Sequence, residues 1–249
     1  MDSASSPIAA LAAAHPRVKV VHLQIRPAKW GWAQLESLCD AIRDVSASGT
    51  VVVASMESAD TAGMVLGSAC DHLLLAPLGE VFLGGVGLEM QFLGDAMSRV
   101  GLEFEVISAG EYKSAAEPVS RAFPSRANRE ALTALVSDLH GRVRDQIAED
   151  RGIDAHELQE IMDGGLLSGE QAVAAGLVDA LCYEPQIESY LTELLGKEPR
   201  VVDEPNQFRA VKWQAGFRKM FTKRASLKVL QFEGAIVRDG PKYRAKSQI

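Results

Sequence analysis

The chain has 249 residues, 47% of them hydrophobic and 24% charged, with a formal net charge of −7. That length and apolar fraction supply one generous domain, or one domain with an appendage. The acidic balance argues against a nucleic-acid partner, and three scattered cysteines, Cys39, Cys70 and Cys182, form neither a disulfide framework nor a zinc site; they read as buried free thiols.

In chain order, "MDSASSPIAALAAAHPRVK" reads as a helix capped at Ser6-Pro7 and ending near His15-Pro16. It lacks the basic leader of a signal peptide, and no 18-residue apolar run encodes a transmembrane helix. Residues 18–25, "VKVVHLQI", form a strand pattern. Residues 32–49 form an amphipathic helix closed by Gly49, and 50–56, "TVVVASM", a second strand. A helix over 59–70 carries small residues at 59, 62, 63 and 67, which suits close backbone packing. A short buried strand follows at 72–77, and "EVFLGGVG" (80–87) ends in glycines. A helix is expected over 88–101, a buried strand over 103–108, and a long helix over 127–152.

In "LSGEQAVAAGLVDAL" (167–181), Ser168 and Gln171 make a capping box, and Gly176 stops the helix before another strand. Repeated β-then-α units predict an α/β fold with a parallel sheet covered by helices. After a polar connector from residue 196, the basic segment 208–228 spaces Trp213, Phe217, Met220 and Phe221 as a helix would. It reads as a helix docked on protein with its charges solvated, or as a membrane-surface helix. A last strand pattern covers 227–237.

Several chemistries lack their motifs. There is no H-E-x-x-H, no paired C-x-x-C, no P-loop and no G-x-S-x-G elbow. "GGVG" (84–87) lacks the third glycine of a dinucleotide loop. The histidines, His15, His22, His72, His140 and His156, have no partner at ligand spacing and read as structural or surface residues. No cofactor or metal is expected.

That leaves "GEYKSAAEP" (110–118), where Lys113 follows an apolar stretch and precedes small residues. A desolvated lysine can replace the histidine of a catalytic triad as general base. Residues as small as Ser114, Ala115 and Ala116 let another segment approach closely enough to exclude water.

The "YKSAAEP" and "SGEQAVAAGLVDAL" blocks resemble the signal peptide peptidase A (protease IV) family, with broader similarity over about residues 8–195. The resemblance implies the spiral ββα architecture shared by Clp protease and crotonase, and peptide-bond hydrolysis by a serine–lysine dyad. Lys113 falls on the family's catalytic lysine. Thr61, in "ADTAGM", occupies the slot of the serine nucleophile, where its β-methyl crowds the attack path. Where active members place a glycine pair for the oxyanion, this chain has "RPAKWGW" (26–32), with Gly31 displaced. Gly84 and Gly85 match the turn that shapes the substrate groove.

These departures resemble the lysine-donating N-terminal repeat of the long, two-repeat members. The expected division is a peptidase-like domain at 1–195, a connector with the basic helix at 196–226, and the start of a second repeat at 227–249. On that reading 227–237 pairs with a neighbouring molecule or stays poorly ordered, a return to this chain's own sheet through the long 196–226 connector being the alternative, and Lys113 is mostly buried at an edge facing a partner repeat. The resemblance implies peptide substrates, such as cleaved signal peptides, and either a homo-oligomer or association with a serine-bearing repeat. It also implies work at the outer face of a bacterial cytoplasmic membrane. Two alternatives stand beside it: a catalytically incomplete scaffold of the same fold, and a crotonase-type acyl-thioester enzyme.

Overall fold

The computed structural model describes residues 18–28, 30–107, 109–202 and 226–231, with backbone alone for 200–202 and 226–231. The described residues belong to two compact units, one comprising residues up to 84 together with those from 147 onward, the other residues 85–146.

The first unit is built on a six-stranded sheet. Its strands are β1 (Val18–Gln24), β2 (Val51–Met56), β3 (His72–Leu75), β6 (Ala180–Leu181), β7 (Arg200–Val202) and β8 (Ser226–Gln231). They run in the order β6-β3-β2-β1-β8-β7, and every pairing is parallel. The valine-rich runs of β1 and β2 suit this arrangement, because central strands of a covered parallel sheet bury both faces and favour β-branched side chains. Val20, Val53 and Leu74 sit fully buried on three successive strands, packed with Cys182, Ile187 and Leu191. The α/β fold expected from alternating elements is the one observed.

Helix α1 (Trp32–Ala47) turns Leu35, Cys39, Ile42 and Val45 inward at helical spacing. It ends at Gly49, whose φ of +84° suits glycine. Helix α2 (Thr61–Ser68) starts at Asp60, whose carboxylate accepts the Gly63 N–H at 2.7 Å. A Cβ on Gly67 would lie 2.5 Å from Met56 Cε and 2.9 Å from the Leu73 methyls, so the small residue is what lets α2 lie so close to β2 and β3. A two-stranded antiparallel sheet pairs β4 (Glu80–Phe82) with β5 (Leu166–Ser168). Helices α6 (Ala155–Gly164), α7 (Gly169–Ala174) and α8 (Ile187–Leu195) complete this unit.

The 85–146 unit holds α3 (Gly94–Arg99), α4 (Glu117–Ser120) and most of α5 (Arg126–Arg151), the long helix whose last turns belong to the first unit. Two expectations fail here. The helix expected over 88–101 is only six residues long, because the amides before it are committed elsewhere. The Leu93 N–H donates to Pro118 O at 2.7 Å and the Gly94 N–H to Arg121 O at 3.1 Å. A Cβ on Gly94 would lie 2.5–2.6 Å from the Arg121 backbone, so glycine is required for that approach. The buried strand expected over 103–108 is also absent: residues 102–107 are irregular and exposed, with Ile107 at 95%. Alternation of Phe104 and Val106 with Glu103 and Glu105 gives the period of a strand. The period makes no strand without a ladder partner, and none is present among the described residues.

A third correction concerns the C-terminal strand. Residues 226–231 pair in parallel with β1 and with β7, inside this chain's own sheet, rather than with a neighbour. An unpaired β1 edge would expose a full row of ladder groups. The connection of more than a dozen residues from β7 to β8 is long enough for a parallel return. The N-terminal helix expected at 6–15, residues 208–225 of the basic helix and residues 232–249 lie outside the described residues.

Candidate active site

Lys113 lies in a turn of the 85–146 unit. Its backbone N–H donates to Gly110 O at 3.2 Å, and Gly110 has φ +103°, a conformation that favours glycine. The turn continues through Glu117 N–H to Ser114 O at 3.0 Å and opens into α4, where Ser120 and Arg121 make the first α-helical bonds. Pro118 sits in the first turn, where its missing N–H costs nothing.

The turn borders an open groove of about 770 Å³, whose lining includes Phe104, Tyr112, Lys113, Arg121, Arg126 and Glu130. Lys113 is exposed within this chain, and the burial expected of it is against a partner repeat. Among the described residues, Lys113 Nζ has neither a hydrogen bond nor an ion pair.

Glu117 is a residue that sequence reasoning missed. Its Oε2 accepts the Ser125 N–H and an Asn128 Nδ2–H, both at 2.9 Å. Ser125 in turn caps α5 by accepting the Asn128 N–H at 3.1 Å. These bonds, led by those from Ser125, hold the Glu117 carboxyl below its ordinary range. Asn128 is 3% exposed. A glutamate four residues after the lysine was the available signal, but its partners lie eight and eleven residues further along the chain.

The other predicted positions lie mostly in the first unit. Thr61 is the first residue of α2 and half-buried. Gly31 precedes α1, and its N–H donates to Gln34 Oε1 at 3.1 Å, so this amide is already engaged. Gly84 closes the first unit, where a Cβ would meet the Phe82 ring at 2.6 Å. Gly85 opens the second, with φ +71° and His140 Nδ1 2.8 Å from where a Cβ would stand. Gly85, at positive φ, resists substitution, whereas a side chain at Gly84 would need only the exposed Phe82 ring to move.

The second specific block is structural. The Ser168 and Gln171 side chains exchange bonds with each other's backbone N–H at 3.3 and 2.9 Å, as the capping box requires. Asp179 accepts the Leu73 N–H at 2.7 Å and takes a two-pronged contact from Arg151 at 2.9 and 3.0 Å, fastening the end of α5 to the β3–β6 region. Asp150 receives Arg43 at 3.0 Å and the Ser68 hydroxyl at 3.2 Å, tying α5 to α1 and α2. The three cysteines are buried and free, as expected, and burial pushes the Cys39 thiol up to about 12. His22 is buried on β1 with Nε2 2.8 Å from Ser55 Oγ, and burial pushes it down to about 4. Among the described residues, no helix is long and apolar enough to cross a membrane.

Several relatives share sequence with the chain, two of them as follows. It is 29% identical over 209 residues to the chloroplastic serine protease SPPA of Arabidopsis thaliana, covering 82% of this chain and 31% of that protein. It is 28% identical over 181 residues to Protease 4 of Salmonella typhi, covering 70% of this chain and 29% of that protein. The chain thus spans under a third of the length of either. Among solved structures, a membrane-bound stomatin-specific protease superposes with a TM-score of 0.42 at 11% identity, over 70% of this chain and 85% of that one. That likeness is too distant to add to the sheet topology. The sequence profile of peptidase family S49 matches residues 45–197, a span that takes in the Lys113 turn, α5 and the capping-box block, and the chain belongs to that family.

Proposed function

We propose that this chain supplies the general base of a serine–lysine peptidase, Lys113, and that the nucleophilic serine comes from another chain or repeat. One observation carries the reading: Lys113 Nζ stands without a partner, among the described residues, on an open groove, in a turn that resembles the family's lysine motif and lies inside the family-matched span. The first unit supports the division of labour. Thr61 stands where a serine is expected, and the Gly31 amide is engaged by Gln34 instead of facing an oxyanion.

In the proposed reaction, a covering partner removes water from Lys113, which lets the amine be neutral. It then accepts the serine hydroxyl proton as the oxygen attacks the peptide carbonyl, and returns that proton to the leaving amine. Substrates are extended peptides, such as cleaved signal peptides, held by strand-like backbone pairing beside the Gly84–Gly85 turn. The partner is a serine-bearing chain or repeat, working at the outer face of a bacterial cytoplasmic membrane. Such a partner would cover the exposed apolar side chains of the 85–146 unit, Ile107 and Phe123 among them.

A serine-directed fluorophosphonate probe tests this on the chain alone and on the assembly purified with it. The expected result is no labelling of this chain, labelling of the partner, and peptide hydrolysis that Lys113→Met abolishes. Hydrolysis unaffected by Lys113→Met would leave the scaffold reading. Coenzyme A binding would instead support the crotonase-type enzyme, which the family match disfavours.

A further inference from the structure

We propose that Glu117 is the positioning residue for Lys113, acting through Asn128 and the N-terminus of α5. The proposal rests on Lys113 being the general base. Among the described residues, the Lys113 turn is otherwise held by bonds within itself, Lys113 to Gly110 and Glu117 to Ser114. Within residues 109–117, the Ser120 hydroxyl donates locally to Ala116 O at 2.8 Å, and among the described residues the side-chain hydrogen bonds that reach α5 are the two at Glu117 Oε2, from Ser125 N–H and Asn128 Nδ2–H. One carboxylate oxygen therefore ties the turn to a 26-residue helix.

The anchor is well made for that purpose. Asn128 is the buried polar residue of the 85–146 unit, and its amide would lose a hydrogen bond in a desolvated place if Glu117 moved away. Ser125 N–H belongs to the capping residue of α5, whose position the Asn128 N–H fixes in turn. The carboxylate also sits where the helix N-terminus favours negative charge. From this anchor the chain runs back one turn, through Ala116, Ala115 and Ser114, to Lys113. These side chains are short, so beside the backbone bonds that α4 receives from Leu93 and Gly94, the Glu117 carboxylate is what ties the lysine turn to α5. A misplacement of about 1 Å at a catalytic group lowers rate by roughly a hundredfold.

The test uses the full chain with 13C at lysine Cε, the Lys113 signal being assigned with Lys113→Arg. Glu117→Ala and Asn128→Ala should each shift the Lys113 signal while those of Lys19 and Lys197 stay in place. Glu117→Gln, whose amide oxygen still accepts both bonds, should keep the Lys113 signal. Asn128→Ala serves if Glu117→Ala does not fold. A Lys113 signal unmoved in Glu117→Ala and Asn128→Ala overturns the proposal, as does one that moves only together with the other lysines. In the peptidase assembly, Glu117→Ala should lower kcat about tenfold or more with KM within about twofold, and Glu117→Gln should stay within about threefold of wild type. If Lys113→Met abolishes hydrolysis and Glu117→Ala leaves kcat intact, the positioning role falls while the general base stands. If Lys113→Met leaves hydrolysis intact, the general base falls, and the lysine signals still decide whether Glu117 sets the turn.

Discussion

The sheet-bearing unit and the 85–146 unit solve the problem of burial differently. In the first, strands and helices bury a continuous set of aliphatic side chains, with Val20, Val53, Leu74, Leu83, Leu158 and Leu191 fully removed from solvent. In the second, Val143 and Asn128 are the buried residues among those described, while Leu88, Val100, Leu102, Phe104, Ile107 and Phe123 stay exposed. Soluble monomers rarely leave so many large apolar groups open, and such surfaces mark interaction sites. The contrast separates the two regions: one buries an aliphatic core, and the other leaves a lysine, a groove and apolar side chains open to solvent.

The largest effect that sharpens this contrast is Lys113→Met. In the active assembly it should reduce peptide hydrolysis by at least about a thousandfold. Stability of the chain itself should change by no more than about 0.5 kcal/mol in a urea titration, since an exposed group without partners is removed. A large loss of stability would instead make Lys113 structural.

Next in size are changes inside the sheet. Leu74→Ala, in the centre of the core, should cost about 2–5 kcal/mol by the same titration. Deleting 226–249 should also destabilise the isolated chain by more than about 2 kcal/mol, because it strips the outer edge of β1. A truncated chain as stable as the full one would return β8 to the role of an intermolecular strand.

His22 predicts a pH dependence confined to the sheet. Its folded value of about 4 lies below the ordinary 6.5, so on acidification the unfolded chain takes up the proton first. The stability it contributes is complete above pH 6.5, declines as pH falls, and is lost by about pH 4, amounting to about 3 kcal/mol. His22→Gln should flatten unfolding free energy between pH 4 and 6.5, and a slope unchanged in that variant would assign it to other groups. Glu117 acts in the same direction at lower pH, its depressed value meaning that its contribution is lost as pH falls through a point below 4.5.

The smallest expected effect on stability is at the open apolar surface. Ile107→Ser and Phe123→Ser should each alter the unfolding free energy of the dilute chain by about 0.5 kcal/mol or less. Self-association, or binding of the serine-bearing partner, should weaken about tenfold in sedimentation experiments. Destabilisation of the dilute chain by these changes would show that the surface is covered from within.

Local chemistry made much of the molecule legible in advance. The valine runs of β1 and β2, the helical spacing of Leu35, Cys39 and Ile42, the Ser168–Gln171 box and the glycine stop at Gly49 each depend on neighbours within a few residues, and each appears as expected. The same holds for the small residue at Gly67, whose packing was written in its size. What tertiary structure alone decided involves distant partners. Alternation over 103–108 could not reveal that no strand among the described residues pairs with 103–107. The pattern at 227–237 could not tell whether its ladder would be β1 of the same chain or a strand of another. Glu117 looked like one more acidic residue after a lysine, until a buried asparagine and a helix cap from further along the chain closed on its carboxylate. A side chain's period along the chain is set by its own backbone, whereas its hydrogen-bond partners and its exposure are set by whatever the rest of the fold brings to it.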